Sequence, residues 1–335
     1  MDIIFLSPLF KERVWGGNKL NTEFGYDIPF ERTGECWAVS AHPNGSTLVH
    51  DGEYEGMSLA DLWDEHRELF GNVKGDRFPL LVKILDAKED LSLQVHPDDE
   101  YAKIYENGSF GKTECWYVLD AEEGSSLVLG HNASSKEDMK NMIEKGLWDE
   151  FIREVPVKKG SFVQIDPGTI HAVKGGIVLL ETQQNSDLTY RVYDYDRIFN
   201  GEKRELHIKK ALDVTKVPSP DVEKMVEDYL NVPINSFCKL IECNYYNIWK
   251  VDVDGAFNFD MKEKFMIMSV VDGEGSINWC KKNCCDGEVL SVNCCENTGN
   301  MKIKKGDHFI IPYGVKNITL SGKMDIVASS VNCEE

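Results

Sequence analysis

No run of residues in this 335-residue chain is long and apolar enough to cross a bilayer as a helix. The first residues, Met1-Asp2-Ile3-Ile4-Phe5-Leu6-Ser7-Pro8, lack both the basic flank and the long apolar segment of a secretory leader. Positive charge is scarce as well: 37 Lys and Arg against 57 Asp and Glu leave a formal net charge of -20. Such a surface repels phosphate backbones and anionic lipid, so nucleic acid and membranes are excluded as expected partners. Any basic functional site must then be a local pocket within an acidic surface. A cytoplasmic enzyme is the resulting expectation, and 42% hydrophobic residues suffice for a sizeable core in one large domain or two ordinary ones.

Paired Cys-x2-Cys knuckles are also missing, although the chain has ten cysteines. Half of them crowd into Cys280, Cys284, Cys285, Cys294 and Cys295. Adjacent pairs do not have the spacing of a structural zinc finger, and the reading adopted is a solvent-exposed hairpin insertion over 280–295 with reduced thiols.

What is present is a dispersed set of metal-ligating residue types. Gln94-Val95-His96-Pro97 puts Gln94 and His96 on one side of an extended strand, because successive side chains alternate faces. Glu114 stands in Gly111-Lys112-Thr113-Glu114-Cys115-Trp116, and His171 in Pro167-Gly168-Thr169-Ile170-His171. Two imidazoles, a carboxylate and an amide make a two-nitrogen, two-oxygen set that suits Zn²⁺ and leaves a position for water or substrate. One zinc ion per chain is expected.

An internal repeat organises the chain. Gly160 through Pro167-Gly168 to His171 is matched by Gly306 through Pro312 and Gly314 to Asn317, each ending eleven positions after its first Gly. Upstream, Glu114 is matched by Phe265. The second copy therefore replaces two ligating types, and it is expected to be a domain without metal, with His308 no ligand. Short runs rich in β-branched and aromatic residues predict strands over 80–85, 91–96, 115–120, 126–130, 161–165 and 177–182. Helices are predicted from Ser58 to Phe70, from Pro97 to Tyr105, from Ser134 or Ser135 to about Glu154, and over Leu206 to Val214. The fold class is mainly β: two jelly-roll β-barrels with helices inserted in the N-terminal part. The expected division is a zinc-binding domain over 1–216, a linker over 217–234 carrying Val217-Pro218-Ser219-Pro220, and a second domain over 235–335.

These motifs resemble the cupin barrel and, more closely, the type I mannose-6-phosphate isomerases in their short bacterial form. The resemblance spans nearly the whole chain and is carried by Trp15-Gly16-Gly17, Gly34-Glu35-Cys36-Trp37, the run from Leu91 to Asp98, Lys112 to Trp116, Gly168 to Ala172, and Gln184 to Asp194. It implies zinc ligation by Gln94, His96, Glu114 and His171, an essential active-site Arg191, Lys112 and Asp187 near the sugar, and Ser92 near the phosphate. The cysteine-rich stretch has no counterpart in the family pattern.

The chemistry also follows from residue types. Exchanging an aldose for a ketose moves a proton between C1 and C2, which needs a base and a group that steadies an enediolate oxygen. Arg191 stays cationic and suits charge stabilisation or phosphate binding, against the alternative of a surface ion pair with Asp194 or Asp196. Lys112 and Asp187 are both candidates for moving the proton. Lys83 and Arg197 could add positive charge but are read as solvated surface positions, and Glu35 and Trp37 as packing and hydrogen-bonding residues near the site mouth. The expectation is a zinc-dependent isomerase of mannose 6-phosphate and fructose 6-phosphate, a monomer or weak homodimer with a phosphosugar partner. The alternatives are an isomerase of free aldoses such as mannose, a cupin metal oxygenase, and a sugar-binding module without catalysis.

Overall fold

The computed structural model describes residues 2–199, 201–280 and 298–332. The cysteine-rich insertion read from the sequence falls, apart from Cys280, outside the described residues. The chain is mainly β, and three antiparallel sheets account for the architecture. A seven-stranded sheet runs in the order 226–228, 161–165, 114–121, 177–184, 80–87, 9–17, 33–39. A five-stranded sheet follows the order 152–156, 126–131, 171–173, 93–95, 190–193. The eight-stranded sheet is built from 238–242, 246–259, 316–331, 266–280, 308–311, 4–7 and 48–49, with 298–304 paired to 266–280. Among the described residues the sheets stack as jelly-roll layers and do not close into a hydrogen-bonded ring.

Alternation along the strands explains how the layers stack. On Glu114–Ala121, Trp116 and Val118 point into a core shared with Leu127, Leu129 and Val173 of the five-stranded sheet. Cys115, Tyr117 and Leu119 point the other way, into a core shared with Tyr246, Ile267 and Ile310 of the eight-stranded sheet. The seven-stranded sheet is therefore buried on both faces, which is why Leu80–Ala87 and Ile177–Gln184 read as nearly unbroken apolar runs. Glu114 shares the face of Trp116 and Val118, and so lies between the seven- and five-stranded sheets.

The halves are knitted more closely than the linear division 1–216, 217–234 and 235–335 suggests. Ile4–Ser7, inside the first span, pairs with His308–Ile311 in the eight-stranded sheet. Val226–Asp228, inside the expected linker, pairs with Ser161–Ile165. The internal repeat has a backbone counterpart: Gly160 and Gly306 both adopt positive φ (89° and 94°), as do Gly168 and Gly314 (84° and 86°). Phe265, the counterpart of Glu114, is fully buried against Trp63, Phe70 and Phe78.

The helices differ from expectation at their ends. Ser58 caps Leu59–Glu65 by accepting the Asp61 N–H, and a 3-10 turn then continues over Arg67–Phe70 to Gly71. Asp98 caps Asp99–Tyr105, so Pro97 stands before that helix and does not open it. The helix expected from Ser134 or Ser135 to about Glu154 is instead Lys136–Glu144 and Trp148–Phe151, followed by the strand Ile152–Pro156. Gly146, at φ 65°, ends the first of these in the left-handed conformation that glycine adopts at low cost. The last predicted helix spans Ile208–Val214.

Candidate metal centre and sugar cleft

Three neighbouring strands of the five-stranded sheet bring His171, Gln94 and Arg191 into one cross-strand row: His171 is opposite Gln94, and Arg191 is opposite Gln94 on its other side. His96 follows two residues after Gln94. Glu114 reaches the same point from the facing sheet. His96, Glu114 and His171 are fully buried, and their donor atoms all lie within 4.8 Å of one another. His96 Nε2 is 3.5 Å from Glu114 Oε2, His171 Nε2 is 3.2 Å from Glu114 Oε1, and Gln94 Nε2 is 3.3 Å from His171 Nε2.

The protonation pattern tests whether this set fits a cation. His96 Nδ1 donates to Leu188 O at 2.7 Å, and His171 Nδ1 donates to Thr169 O at 2.9 Å. Each ring therefore presents a bare Nε2 lone pair, and the two Nε2 atoms face each other at 3.1 Å. Burial, with Lys112 nearby, keeps the His96 ring neutral by pushing its pKa down to about 3; burial likewise lowers that of His171. Both Glu114 oxygens are buried and accept no hydrogen bond of good geometry, although the Lys112 ammonium lies 2.8 Å from Oε2 as a close ionic contact. Converging lone pairs and an unsatisfied buried carboxylate are repulsive by themselves, and a divalent cation among them removes the repulsion. The donor set fits zinc.

The centre opens into a cleft of about 360 Å³ lined by Ser92, Gln94, Lys112, Asp187 and Arg191, all expected from the sequence. Ser92 is buried; its Oγ accepts a hydrogen bond from Arg191 Nε at 3.2 Å and lies 3.4 Å from Gln94 Oε1. Arg191 also donates to Glu205 O, and burial and the neighbouring Arg204 push its pKa down to about 10, still cationic at neutral pH. Asp194 is engaged by Arg197 and Arg204 instead, so the surface ion pair weighed as an alternative for Arg191 is not formed. Lys112 is buried with its ammonium between Glu114 and Glu181. Asp187 is exposed at the rim, and Asn44 Nδ2 donates to its Oδ2 at 3.1 Å.

Two readings require correction. Lys83 is not solvated: it is 4% exposed, because both faces of its sheet are covered, and its Nζ lies 3.0 Å from Glu181 Oε2. Arg197 is half-buried and spans Asp194 and Asp90 O. Glu35 and Trp37 pack and hydrogen-bond as expected: Glu35 accepts from Arg13 Nε at 2.7 Å and from Trp37 Nε1 at 2.7 Å. Glu181, Arg13, Arg204 and His207 also line the cleft and carry no signal in the motifs. A charged residue interrupting an apolar run, as in Leu80-Leu81-Val82-Lys83-Ile84 or Ile177-Val178-Leu179-Leu180-Glu181, is the sign that would have pointed to the buried pair. In the second half, His308 is satisfied by Ser269 Oγ and Tyr26 OH, both at 2.9 Å, and belongs to no cluster of three or more His, Cys, Asp or Glu residues among the described residues.

Comparison with known proteins supports this reading. The family model described as phosphomannose isomerase type I, catalytic domain, matches residues 3–151, and that described as mannose-6-phosphate isomerase, cupin domain, matches 236–331. The chain is 47% identical to the mannose-6-phosphate isomerase ManA of Bacillus subtilis, covering 97% of this chain and 98% of that protein. It is 42% identical to a mannose-6-phosphate isomerase of Streptococcus mutans, covering 98% of each. A crystal structure of the Bacillus subtilis mannose 6-phosphate isomerase superposes with a TM-score of 0.84 at 42% identity, over 98% of this chain and all of that one. A structure from Archaeoglobus fulgidus at 19% identity, with a TM-score of 0.75, shares the fold. With full-length relatives at this identity and both family models matched in order, the chain belongs to the type I mannose-6-phosphate isomerases.

Proposed function

We propose that the cleft interconverts mannose 6-phosphate and fructose 6-phosphate, with one zinc ion held by Gln94, His96, Glu114 and His171. The observation that carries this is the convergence of two neutral imidazole Nε2 atoms and the buried Glu114 carboxylate on one point, beside a cleft whose lining includes Gln94, Lys112 and Arg191. When bound there, zinc supplies a Lewis acid that polarises sugar oxygens.

The rest of the chemistry belongs to side chains. Isomerisation moves one proton from C2 to C1 and one hydroxyl proton from O2 to O1, leaving the composition unchanged. Asp187, a carboxylate at the accessible rim oriented by Asn44, takes the carbon-bound proton and returns it to the neighbouring carbon. The Lys112 ammonium, held between two carboxylates, donates a hydrogen bond to the enediolate oxygen. Arg191, positioned by Ser92, binds the anionic end of the substrate or the developing charge. The division of labour follows from position: Lys112 is fixed inside the centre, whereas Asp187 stands where a sugar carbon enters.

The span 1–216 contributes all four proposed ligands, and 235–335 acts as its metal-free partner. A cytoplasmic monomer or weak homodimer belongs to the same reading. Metal analysis of the purified protein, combined with a coupled assay for fructose 6-phosphate, chelation and zinc return, tests it. About one zinc per chain with activity lost and regained is expected. Metal without turnover of the phosphosugar would defeat the proposal and favour the free-aldose isomerase or the oxygenase.

A further inference from the structure

The polar run after Glu181 is almost wholly inside the protein: Thr182, Gln183, Gln184, Asn185 and Ser186 are all at most 5% exposed. Burying so many amides and hydroxyls is costly unless each finds a partner, so the partners show what the run does. Asn185 Nδ2 donates to Phe78 O, and Ser186 Oγ donates to Phe110 O. Gln184 is the most fully engaged. Its backbone N–H donates to Thr113 O at 3.1 Å, and its Oε1 accepts the Thr113 N–H at 2.9 Å, so both backbone polar groups of Thr113 are held by one residue. Its Nε2 donates to Asp99 Oδ1 at 3.0 Å, and the same Asp99 oxygen accepts the Gly111 N–H at 2.7 Å.

The backbone on either side of Lys112 is thus gripped by a single side-chain pair. Asp99 lies three residues after His96, and Thr113 directly precedes Glu114, so the pair also joins the two segments that present these candidate ligands. Lys112 N–H itself donates to Pro97 O at 2.9 Å. The loop packs closely on the start of the helix: a Cβ at Gly111 would meet the carbonyl carbon of Asp98 at 2.4 Å, so only glycine fits there.

We propose that the Gln184–Asp99 pair is a positioning clamp that sets the Lys112 ammonium against the reacting sugar. The inference rests on the isomerase reading above. The clamp acts through the backbone of residues 111–113, and neither of its members touches the substrate. It acts on the chemical step more than on metal capture, because the two ligands nearest the clamp have anchors of their own: His96 Nδ1 donates to Leu188 O, and Glu114 is paired in its sheet with Ile165 and Gln183.

An exchange of the pair tests the clamp. Gln184→Glu keeps the acceptor for Thr113 but sets two carboxylates against each other, whereas Asp99→Asn keeps Oδ1 as acceptor for both donors and removes only the charge, so Gln184→Glu is the disruptive single variant. The double variant restores every donor to an acceptor, since the new amide donates to the new carboxylate and still accepts from Gly111. Wild-type turnover of mannose 6-phosphate is measured first, which tests the isomerase reading separately. Amide exchange of Gly111 and Thr113 is then measured with kcat, KM and metal content.

The expected result for Gln184→Glu is a kcat lower by on the order of 10²-fold with KM changed less than threefold, the size of loss that a small misplacement of a catalytic group brings. Amide exchange at 111–113 accelerates, one metal ion per chain is retained, and the double variant recovers kcat and protection to within a few-fold of wild type. A Gln184→Glu protein that keeps both wild-type kcat and amide protection overturns the clamp. So does a double variant that regains thermal stability without kcat, which reduces the pair to a structural role. If the wild type proves inactive on the phosphosugar, amide exchange alone still decides: no acceleration in Gln184→Glu, or no recovery in the double variant, refutes the clamp.

Discussion

His96 Nε2 and His171 Nε2 stand 3.1 Å apart with both Nδ1–H groups already donated to backbone carbonyls, so two lone pairs meet in a dry interior. Few arrangements of neutral side chains are so plainly completed by a cation.

Removing a donor should therefore empty the centre. His171→Ala and Glu114→Ala are expected to lower bound metal well below one ion per chain and to abolish activity together, as read by elemental analysis beside the coupled assay. Full metal occupancy in both variants would contradict the assignment of the ligands.

The second half should be indifferent to that loss. His308→Ala and Asn317→Ala are expected to retain the ion. His308 lies buried between Ser269 and Tyr26, so its loss should cost stability, on the order of 2 kcal/mol for the partners left unpaired. Asn317 sits at φ 52°, where alanine is disfavoured by about 1 kcal/mol. Thermal denaturation followed alongside metal content checks both, and release of metal would show that the site is not confined to the first half.

Arg191→Ala should fold, bind metal and lose turnover by on the order of 10²- to 10³-fold, the scale of deleting one group that stabilises developing charge. Circular dichroism and steady-state kinetics are the measurements. A change in KM alone, with kcat preserved, would make Arg191 a binding residue only.

Glu35 provides a pH test. Burial works against its charge, but Arg13 and Lys83 outweigh that and hold its carboxyl down at about 2, against 4.5 when unperturbed. Its folded pKa is depressed, so its contribution to stability is complete above pH 4.5 and is lost as pH falls toward 2. That contribution is about 3 kcal/mol at neutral pH. Glu35→Gln should lower stability at pH 7 and flatten the fall in stability between pH 4.5 and 2, measured by denaturant titration. An acid limb as steep as in the wild type would rule out this role for Glu35.

Lys83 and Glu181 form a buried pair whose members differ from their surroundings more than from each other. Lys83→Met leaves Glu181 with the Trp116 Nε1 hydrogen bond and, as a cation, the more distant Lys112, and should cost about 3 kcal/mol. Combining it with Glu181→Leu should recover part of that loss, because the uncompensated charge is then gone. Equal stabilities for the single and double variants would count against an ion pair as the reason for either residue.

Much of this protein was written in local patterns. Alternation and turn residues marked the strands at 80–85, 115–120, 161–165 and 177–182, because a strand covered on both faces must be apolar and β-branched along its length. Gln94, His96, Glu114 and His171 were legible as ligand types before any geometry, and the family resemblance pointed to Ser92, Lys112, Asp187 and Arg191, which line one cleft. Where reading stopped, the deciding contact lay far along the chain. The helix expected to run to Glu154 ended at Glu144 because Gly146 breaks it and, after the short helix Trp148–Phe151, Ile152–Pro156 pairs as an edge strand with Ser126–His131.

The sequence alone determined the strand-rich class, the repeat with its substituted ligand positions, and the residues able to bind a cation, since each depends on side-chain chemistry and a period of two. Tertiary structure alone decided that Lys83 and Glu181 would be buried as a pair, that Arg191 would be held by Ser92, and that Ile4–Ser7 would complete the opposite sheet. Those outcomes depend on which faces meet and which backbone edges are left to pair, and no local pattern encodes distances between residues a hundred or three hundred positions apart.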